Sequence, residues 1–133
     1  MRLIVSKQIL IVDDEPYIQM LVKHILQELE DQGVEILTAD NGQQALEVIQ
    51  NVRPHLVFLD LMMPQMNGFV VCQTVKKDLK LEGVFIVIVS GRTQEFDRQY
   101  GFEVGADQYL SKPFDPEEII KTAIEVLGLN APD

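Results

Sequence analysis

The sequence predicts an α/β fold, with one doubly wound sheet of five parallel strands flanked by five helices. Five short apolar runs alternate along the chain with segments whose apolar residues recur at helical spacing. This strict alternation favours a parallel sheet, because right-handed crossovers carry the chain over its two faces. With 133 residues, the chain has the size of one domain, which we place at 1–128, followed by a C-terminal stub at 129–133.

The first two units are predicted from apolar runs at Gln8–Val12 and Val34–Ala39. The first run is followed at once by acidic residues and by Pro16, a residue suited to the first turn of a helix. That helix ends before Gly33, and a second amphipathic helix closes before Pro54. The chain therefore opens with two βα units, and the first strand ends in acid.

The central strand is predicted over His55–Asp60, an apolar run whose last residue is a carboxylic acid. Asn67 and Gly68 then open a helix whose inner face is formed by Cys72, Val75 and Leu79. In open α/β sheets ligands bind at the carboxyl ends of the strands, so Asp60 lies where a ligand is expected.

The last two strands are predicted over Val84–Val89, followed by Ser90, and over Gln108–Ser111, followed by Lys112. The helix between them is predicted over Thr93–Val104. The last helix begins at Asp115 and Pro116 as cap and first residue. Its core-facing residues are predicted at helical spacing, at Ile120, Ala123, Ile124 and Leu127.

The strand order 2-1-3-4-5 is a common one for such folds, and it makes strands 1 and 3 neighbours. Asp13, Asp14 and Asp60 then share one crevice. Three ionised carboxylates in contact need a proton or a cation, and an all-oxygen site suits Mg²⁺ or Mn²⁺. With the Ser90 hydroxyl and the Lys112 ammonium at the same edge, such a site is equipped to receive a phosphoryl group on one carboxylate.

These motifs resemble the receiver domain of two-component response regulators, which has the flavodoxin-like strand order. The resemblance runs from Ile9 to Leu127. Its segments are ILIVDDEP at 9–16, LVFLDLMMP at 56–64 with Asn67-Gly68, VIVSG at 87–91, GAD at 105–107 and YLSKPF at 109–114.

The resemblance implies a role for each residue of the site. Asp60 would be the phosphoacceptor, in a Mg²⁺-dependent reaction that the domain catalyses only on itself. Asp14 and Asp60 would bind the metal directly, Asp13 mainly through water, and Met62 through its backbone carbonyl.

The same resemblance assigns a switch to Ser90 and Tyr109, and the phosphate contact to Lys112. Phosphorylation would draw Ser90 and Lys112 inward, bury Tyr109 and reshape the face formed by helix 4, strand 5 and helix 5. The expected partners are a sensor histidine kinase or histidine phosphotransfer protein, an output partner or domain, and a second copy in a phosphorylation-dependent homodimer.

Composition narrows the function further. The formal net charge of −10 argues against sequence-independent binding of this domain to nucleic acid or to an anionic membrane. A single cysteine, Cys72, excludes an internal disulfide and fits a reducing compartment, so we expect a cytoplasmic protein.

Three alternatives stay open on sequence alone. A phosphohydrolase of the haloacid-dehalogenase type also uses an aspartate and Mg²⁺, but that family needs an acid at the position of Met62. A flavin or nucleotide binder lacks its phosphate loop after the first strand. A degenerate receiver used only for docking would not need the acids. Asp13 and Asp14 could also serve only as helix-start acids.

Overall fold

The computed structural model describes residues 6–92 and 94–131. The first five residues of the predicted domain, Thr93 at the predicted start of the fourth helix, and residues 132–133 of the predicted stub lie outside these ranges. Strands and helices alternate along the chain in the order β1 (Lys7–Val12), α1 (Pro16–Leu26), β2 (Val34–Ala39), α2 (Gly42–Val52), β3 (Leu56–Asp60), α3 (Gly68–Gln73), β4 (Phe85–Ser90), α4 (Glu95–Glu103), β5 (Gln108–Ser111) and α5 (Pro116–Leu127). A 3₁₀ segment, Gln27–Gln32, extends α1 as far as Gly33, which closes it at a φ of 83°.

The five strands are parallel and lie in the order β2-β1-β3-β4-β5, which confirms the predicted fold class and topology. In register, Val12 lies beside Leu59 on β3, and Asp60 lies beside Val89 on β4. Asp13 therefore follows the end of β1 at the edge of the sheet where β3 ends in Asp60.

A hydrophobic layer lies against each face of the sheet, so β3 and β4 are buried on both faces. Helices α1 and α5 cover one face, where Val22, Leu26 and Ala123 pack. Helices α2 and α3 cover the other, and the chain leaving α4 joins them at Val104. Within the described ranges, no helix combines the length and apolarity needed to cross a bilayer.

Helix α3 departs from the predicted pattern. It continues as a π-helical turn over Thr74–Asp78, in which the Leu79 amide donates to the Thr74 carbonyl. The wider turn rotates the residues that follow it, so Leu79, predicted to face inward, is 38% exposed. Leu81 packs against the core instead, whereas Cys72 is fully buried as predicted.

The core-facing residues of α5 agree with the prediction at Ala123 and Leu127 but not at Ile120. Ile119 is buried and Ile120 is only half-buried, so the assignment of Ile120 to the core was wrong. Ile119, Ala123 and Leu127 are spaced four residues apart, so they share the inner face of the helix. Ile124 packs at the margin of this core.

Candidate functional site

Two buried carboxylates mark the edge where β1 and β3 end. Asp13 is 3% exposed and Asp60 is 6% exposed, although aspartate is almost never fully buried unless it is paired. Asp14 and Glu15, the next residues after Asp13, are exposed to solvent. The edge thus combines two enclosed acids with two that face outward.

Lys112, which follows β5, is the partner of both buried acids. Its Nζ lies 3.0 Å from Oδ1 of Asp60 and 3.4 Å from Oδ2 of Asp13. The peptide bond from Lys112 to Pro113 is cis. One ammonium group therefore joins the two carboxylates that the sequence predicted to meet.

The environment shifts the proton affinity of this pair. Burial raises the pKa of Asp60 above its ordinary value, and the negative charge of Asp13 adds to this, against the lowering effect of Lys112. Burial by itself would lower the pKa of Lys112, but the hydrogen bond that its ammonium donates to Asp60 and the charges of both acids raise it. Lys112 is therefore a permanent cation at neutral pH.

A second group of acids can hold a metal ion. Asp13, Asp14 and Glu15 can each bring one carboxylate oxygen within 4.8 Å of the others. Such donors, partly open to solvent, fit Mg²⁺, which binds few carboxylates and keeps several waters. Glu15 was not among the predicted ligands, because its position before Pro16 also suits a helix start. Asp60 contacts this group through Lys112.

The backbone after each strand lies close to both buried acids. The amide of Glu15 donates to Oδ1 of Asp13 at 2.9 Å, and the nearby Met62 backbone has a small lowering effect on the pKa of Asp60. The Met62 side chain points outward and is 57% exposed. Its carbonyl stays a predicted metal ligand.

Ser90 ends β4, one position beyond the residue paired with Asp60. It is 1% exposed, and its hydroxyl oxygen accepts a hydrogen bond from the amide of Arg92 at 3.0 Å. The hydroxyl thus lies at the predicted edge and shapes the loop after β4.

Tyr109 on β5 is connected to that same loop. Its hydroxyl donates to the carbonyl of Arg92 at 2.7 Å, and the ring is 3% exposed. The Arg98 guanidinium lies 5.3 Å from the ring centroid, and a Cβ on Gly101 would come within 3.1 Å of the ring. Tyr109 occupies the buried position, in a slot that α4 forms because residue 101 has no side chain.

Sequence reasoning named Gly68 only as a helix start and motif residue, and it did not name Gln19, although both shape the site. Gly68 lets α3 approach the backbone of Asp60, and the Gln19 side chain binds the Asp13 carbonyl. Both contact main-chain atoms at the ends of strands, so no hydrophobic pattern marks them.

The family model described as the response regulator receiver domain matches residues 9–124. The chain belongs to this family. Phosphorylation on an aspartate is the general function of receiver domains, which act in two-component signalling. The match favours signalling over the phosphohydrolase and flavin-binding alternatives.

Individual relatives agree with the assignment of this receiver domain. It is 36% identical to the alkaline phosphatase synthesis regulator PhoP of Bacillus subtilis, over 86% of this chain and 45% of that protein. It is 39% identical to the DNA-binding response regulator MtrA of Mycolicibacterium smegmatis, over 86% and 47%. The chain thus spans about half the length of these curated relatives.

Solved structures match over nearly their whole length. The chemotaxis protein CheY4 of Vibrio cholerae superposes with a TM-score of 0.80 at 34% identity, over 92% of this chain and 99% of that one. A putative response regulator from Chloroflexus aurantiacus gives 0.81 at 27% identity, over 93% and 99%. The receiver fold is therefore shared by proteins of known structure.

Proposed function

We propose that Asp60 of this receiver domain is the residue that accepts the phosphoryl group. The observation that supports it best is the pairing of a buried carboxylate, at the end of a central strand, with an ammonium 3.0 Å away. One Asp60 oxygen would attack the phosphorus atom, and the bond from phosphorus to the donor would break. The donor would leave with the electron pair, and Asp60 would carry an acyl phosphate.

The metal would be held by Asp13, Asp14, Asp60 and the Met62 carbonyl, with Glu15 close enough to add a ligand or a water contact. When bound, Mg²⁺ supplies positive charge next to the transferring group. Lys112 already lies against Asp60, so its ammonium would stabilise the negative charge of the phosphoryl oxygens. Because phosphate brings three acceptors and about −1.5 to −2 charges, it would compete for Lys112 with the acids.

Ser90 and Tyr109 would transmit the change. The Ser90 hydroxyl would turn to the phosphoryl group, which removes its contact with the Arg92 amide. Tyr109 is bonded to the carbonyl of that same residue, so movement of this loop reaches β5 directly. The face formed by α4, β5 and α5 would then change its shape.

The proposed partners follow from this chemistry. A histidine kinase or a histidine phosphotransfer protein would supply the phosphoryl group in the cytoplasm, and an output partner or domain would read the changed face. Homodimerisation after phosphorylation is a further proposal. Self-phosphorylation and autodephosphorylation would be the only reactions that the domain catalyses.

The experiment is phosphorylation of the purified chain by acetyl phosphate, followed by intact mass. Wild type with Mg²⁺ should gain one phosphoryl group, and wild type in EDTA should gain none. Asp60→Asn should gain none with Mg²⁺, because an amide is not a nucleophile here. As a control, Asp31→Asn removes an exposed acid in the segment after α1, and it should be phosphorylated like wild type. Equal phosphorylation of Asp60→Asn and wild type would refute the assignment.

A further inference from the structure

The side-chain amide of Gln19, on α1, connects the acidic site to the end of β2. Its Nε2 lies 2.6 Å from the carbonyl oxygen of Asp13, 2.8 Å from Oδ1 of Asp40 and 3.2 Å from the carbonyl oxygen of Ala39. This NH₂ group thus lies within hydrogen-bond distance of three acceptors at two strand ends, and its two hydrogens are shared among them. Gln19 is half-buried, so part of this contact is shielded from water.

These bonds lie where the sheet has stopped. The ladder between β1 and β2 ends with the pair of Val12 and Ala39, and the Asp13 amide still donates to the Ala39 carbonyl at 3.2 Å. No strand residue follows to bind the Asp13 carbonyl. Gln19 takes the place of the missing strand partner at this oxygen.

The Asp13 carbonyl belongs to the peptide unit that joins Asp13 to Asp14. A peptide unit is planar, so a bond to its oxygen restricts the rotation of the whole unit. The unit connects the Cα atoms of both acids, and its orientation therefore sets the directions in which both carboxylates leave the backbone. A hydrogen bond to this one oxygen therefore orients two of the proposed metal ligands.

The far end of the bridge is itself held in place. The Asp40 amide donates to Oε1 of Gln44 at 2.9 Å, and the Gln44 amide donates to Oδ1 of Asn41 at 2.9 Å, which caps α2. Asp40 is exposed, but its backbone is tied to the start of this helix. Gln19 is thus held between α1 and an anchored turn.

We propose that Gln19 is a positioning residue of the metal site, which holds the Asp13–Asp14 peptide unit in the orientation that directs both acids at one cation. The inference rests on the proposed function. A neutral amide suits the task, because it donates hydrogen bonds without adding a positive charge that would compete with the cation.

The test measures metal affinity, with Mg²⁺ and Mn²⁺ as probes in isothermal titration calorimetry of the purified chain. Gln19→Met keeps the length and the helix propensity of the side chain and removes its donors. We expect it to weaken Mg²⁺ binding roughly three- to tenfold, the effect of one typical hydrogen bond. Gln27→Met changes an exposed glutamine at the end of the same helix, and it should bind Mg²⁺ like wild type.

A second variant removes the other end of the bridge. Asp40→Ala leaves Gln19 bonded to the two carbonyls but without its anchor, so a smaller loss of Mg²⁺ affinity is expected. The amide of Asp14 lies in the peptide unit concerned. Its NMR shift and exchange rate should therefore change in Gln19→Met and stay unchanged in Gln27→Met, in metal-free samples well below the unfolding temperature.

The outcomes separate this inference from the proposed function. Mg²⁺ affinity and an Asp14 amide signal equal to wild type in Gln19→Met would overturn the positioning role, even if Asp60 is phosphorylated. Failure of wild type to be phosphorylated by acetyl phosphate would overturn the proposed function, while the Mg²⁺ titrations would still decide the role of Gln19. An equal loss of affinity in Gln27→Met would also contradict the inference, because the effect would then belong to the helix as a whole.

Discussion

Gly68, the first residue of α3, tests how closely this helix must approach the site. A Cβ at this position would lie 2.6 Å from the carbonyl oxygen of Asp60 and 3.0 Å from the Cα of Leu61. Both are backbone atoms, so no side-chain rotation can relieve the contact. The Gly68 amide also donates to the Leu61 carbonyl at 2.9 Å, which holds the two segments together. Gly68→Ala must therefore displace the backbone that carries Asp60.

The size of the effect follows from two opposing terms. Overpacking by one carbon in a rigid place costs about 1–3 kcal/mol. Alanine is favoured over glycine within a helix by up to about 1 kcal/mol, and less at its first residue. Because the contact is with backbone, we expect the clash to win and the free energy of unfolding to fall by about 1–2 kcal/mol.

The assay is urea unfolding of Gly68→Ala beside Gly83→Ala. A Cβ at Gly83 meets nothing within 4 Å, so this control should match wild type or gain slightly from the reduced freedom of its unfolded chain. Gly68→Ala should also be phosphorylated more slowly by acetyl phosphate, because Asp60 is displaced. Equal stability of the two variants would refute the reasoning that α3 lies against the Asp60 backbone.

Three further predictions concern charge and burial. Burial raises the pKa of Asp60 above its ordinary value of 3.8, so the folded protein favours the protonated carboxyl. The contribution of Asp60 to stability is therefore largest below pH 3.8, and it is lost as the pH rises and Asp60 ionises. Asp60→Asn should therefore unfold at higher urea than wild type at pH 7 in EDTA, with a difference that shrinks toward pH 3.5; a wild type more stable at pH 7 would contradict this. Burial raises the pKa of Cys72 to about 12, so a disulfide reagent at pH 8 should modify it only on unfolding, and rapid modification of folded protein would refute its burial. Lys76→Met removes the 2.8 Å ion pair with Asp107 and should lower the free energy of unfolding by about 1–2 kcal/mol. Lys77→Met, at an exposed site, is the control. If the two variants lose the same stability, the ion pair adds nothing.

The strands and the residues at their ends were predictable from sequence because each depends on a local pattern. A continuous apolar run marks a buried parallel strand, and the polar residue after it falls at the ligand edge, as Asp60 and Ser90 do. The placement of Lys112 at the same edge as Asp60 followed once the strand order was predicted, whereas the ion pair between them became visible only in the structure. Within a buried strand, the register leaves little freedom in where each side chain lies.

The remaining features depend on atoms that a pattern does not encode. The π-helical turn that exposes Leu79 adds one residue to a helix without a distinct sequence signal. Gly68 and Gln19 lie against backbone oxygens at the ends of strands, and these contacts became visible only with the distances. The prediction chose Ile120 where Ile119 is buried, since two adjacent isoleucines satisfy the same apolar pattern.

Transfer of the phosphoryl group to Asp60 can be read out by borohydride reduction of the chain after reaction with acetyl phosphate and Mg²⁺, followed by peptide mass spectrometry. An acyl phosphate is reduced to an alcohol, which converts the modified aspartate into homoserine. Homoserine is expected at position 60. Homoserine at Asp13 or Asp14, or phosphorylation of His24 or His55 instead, would contradict it.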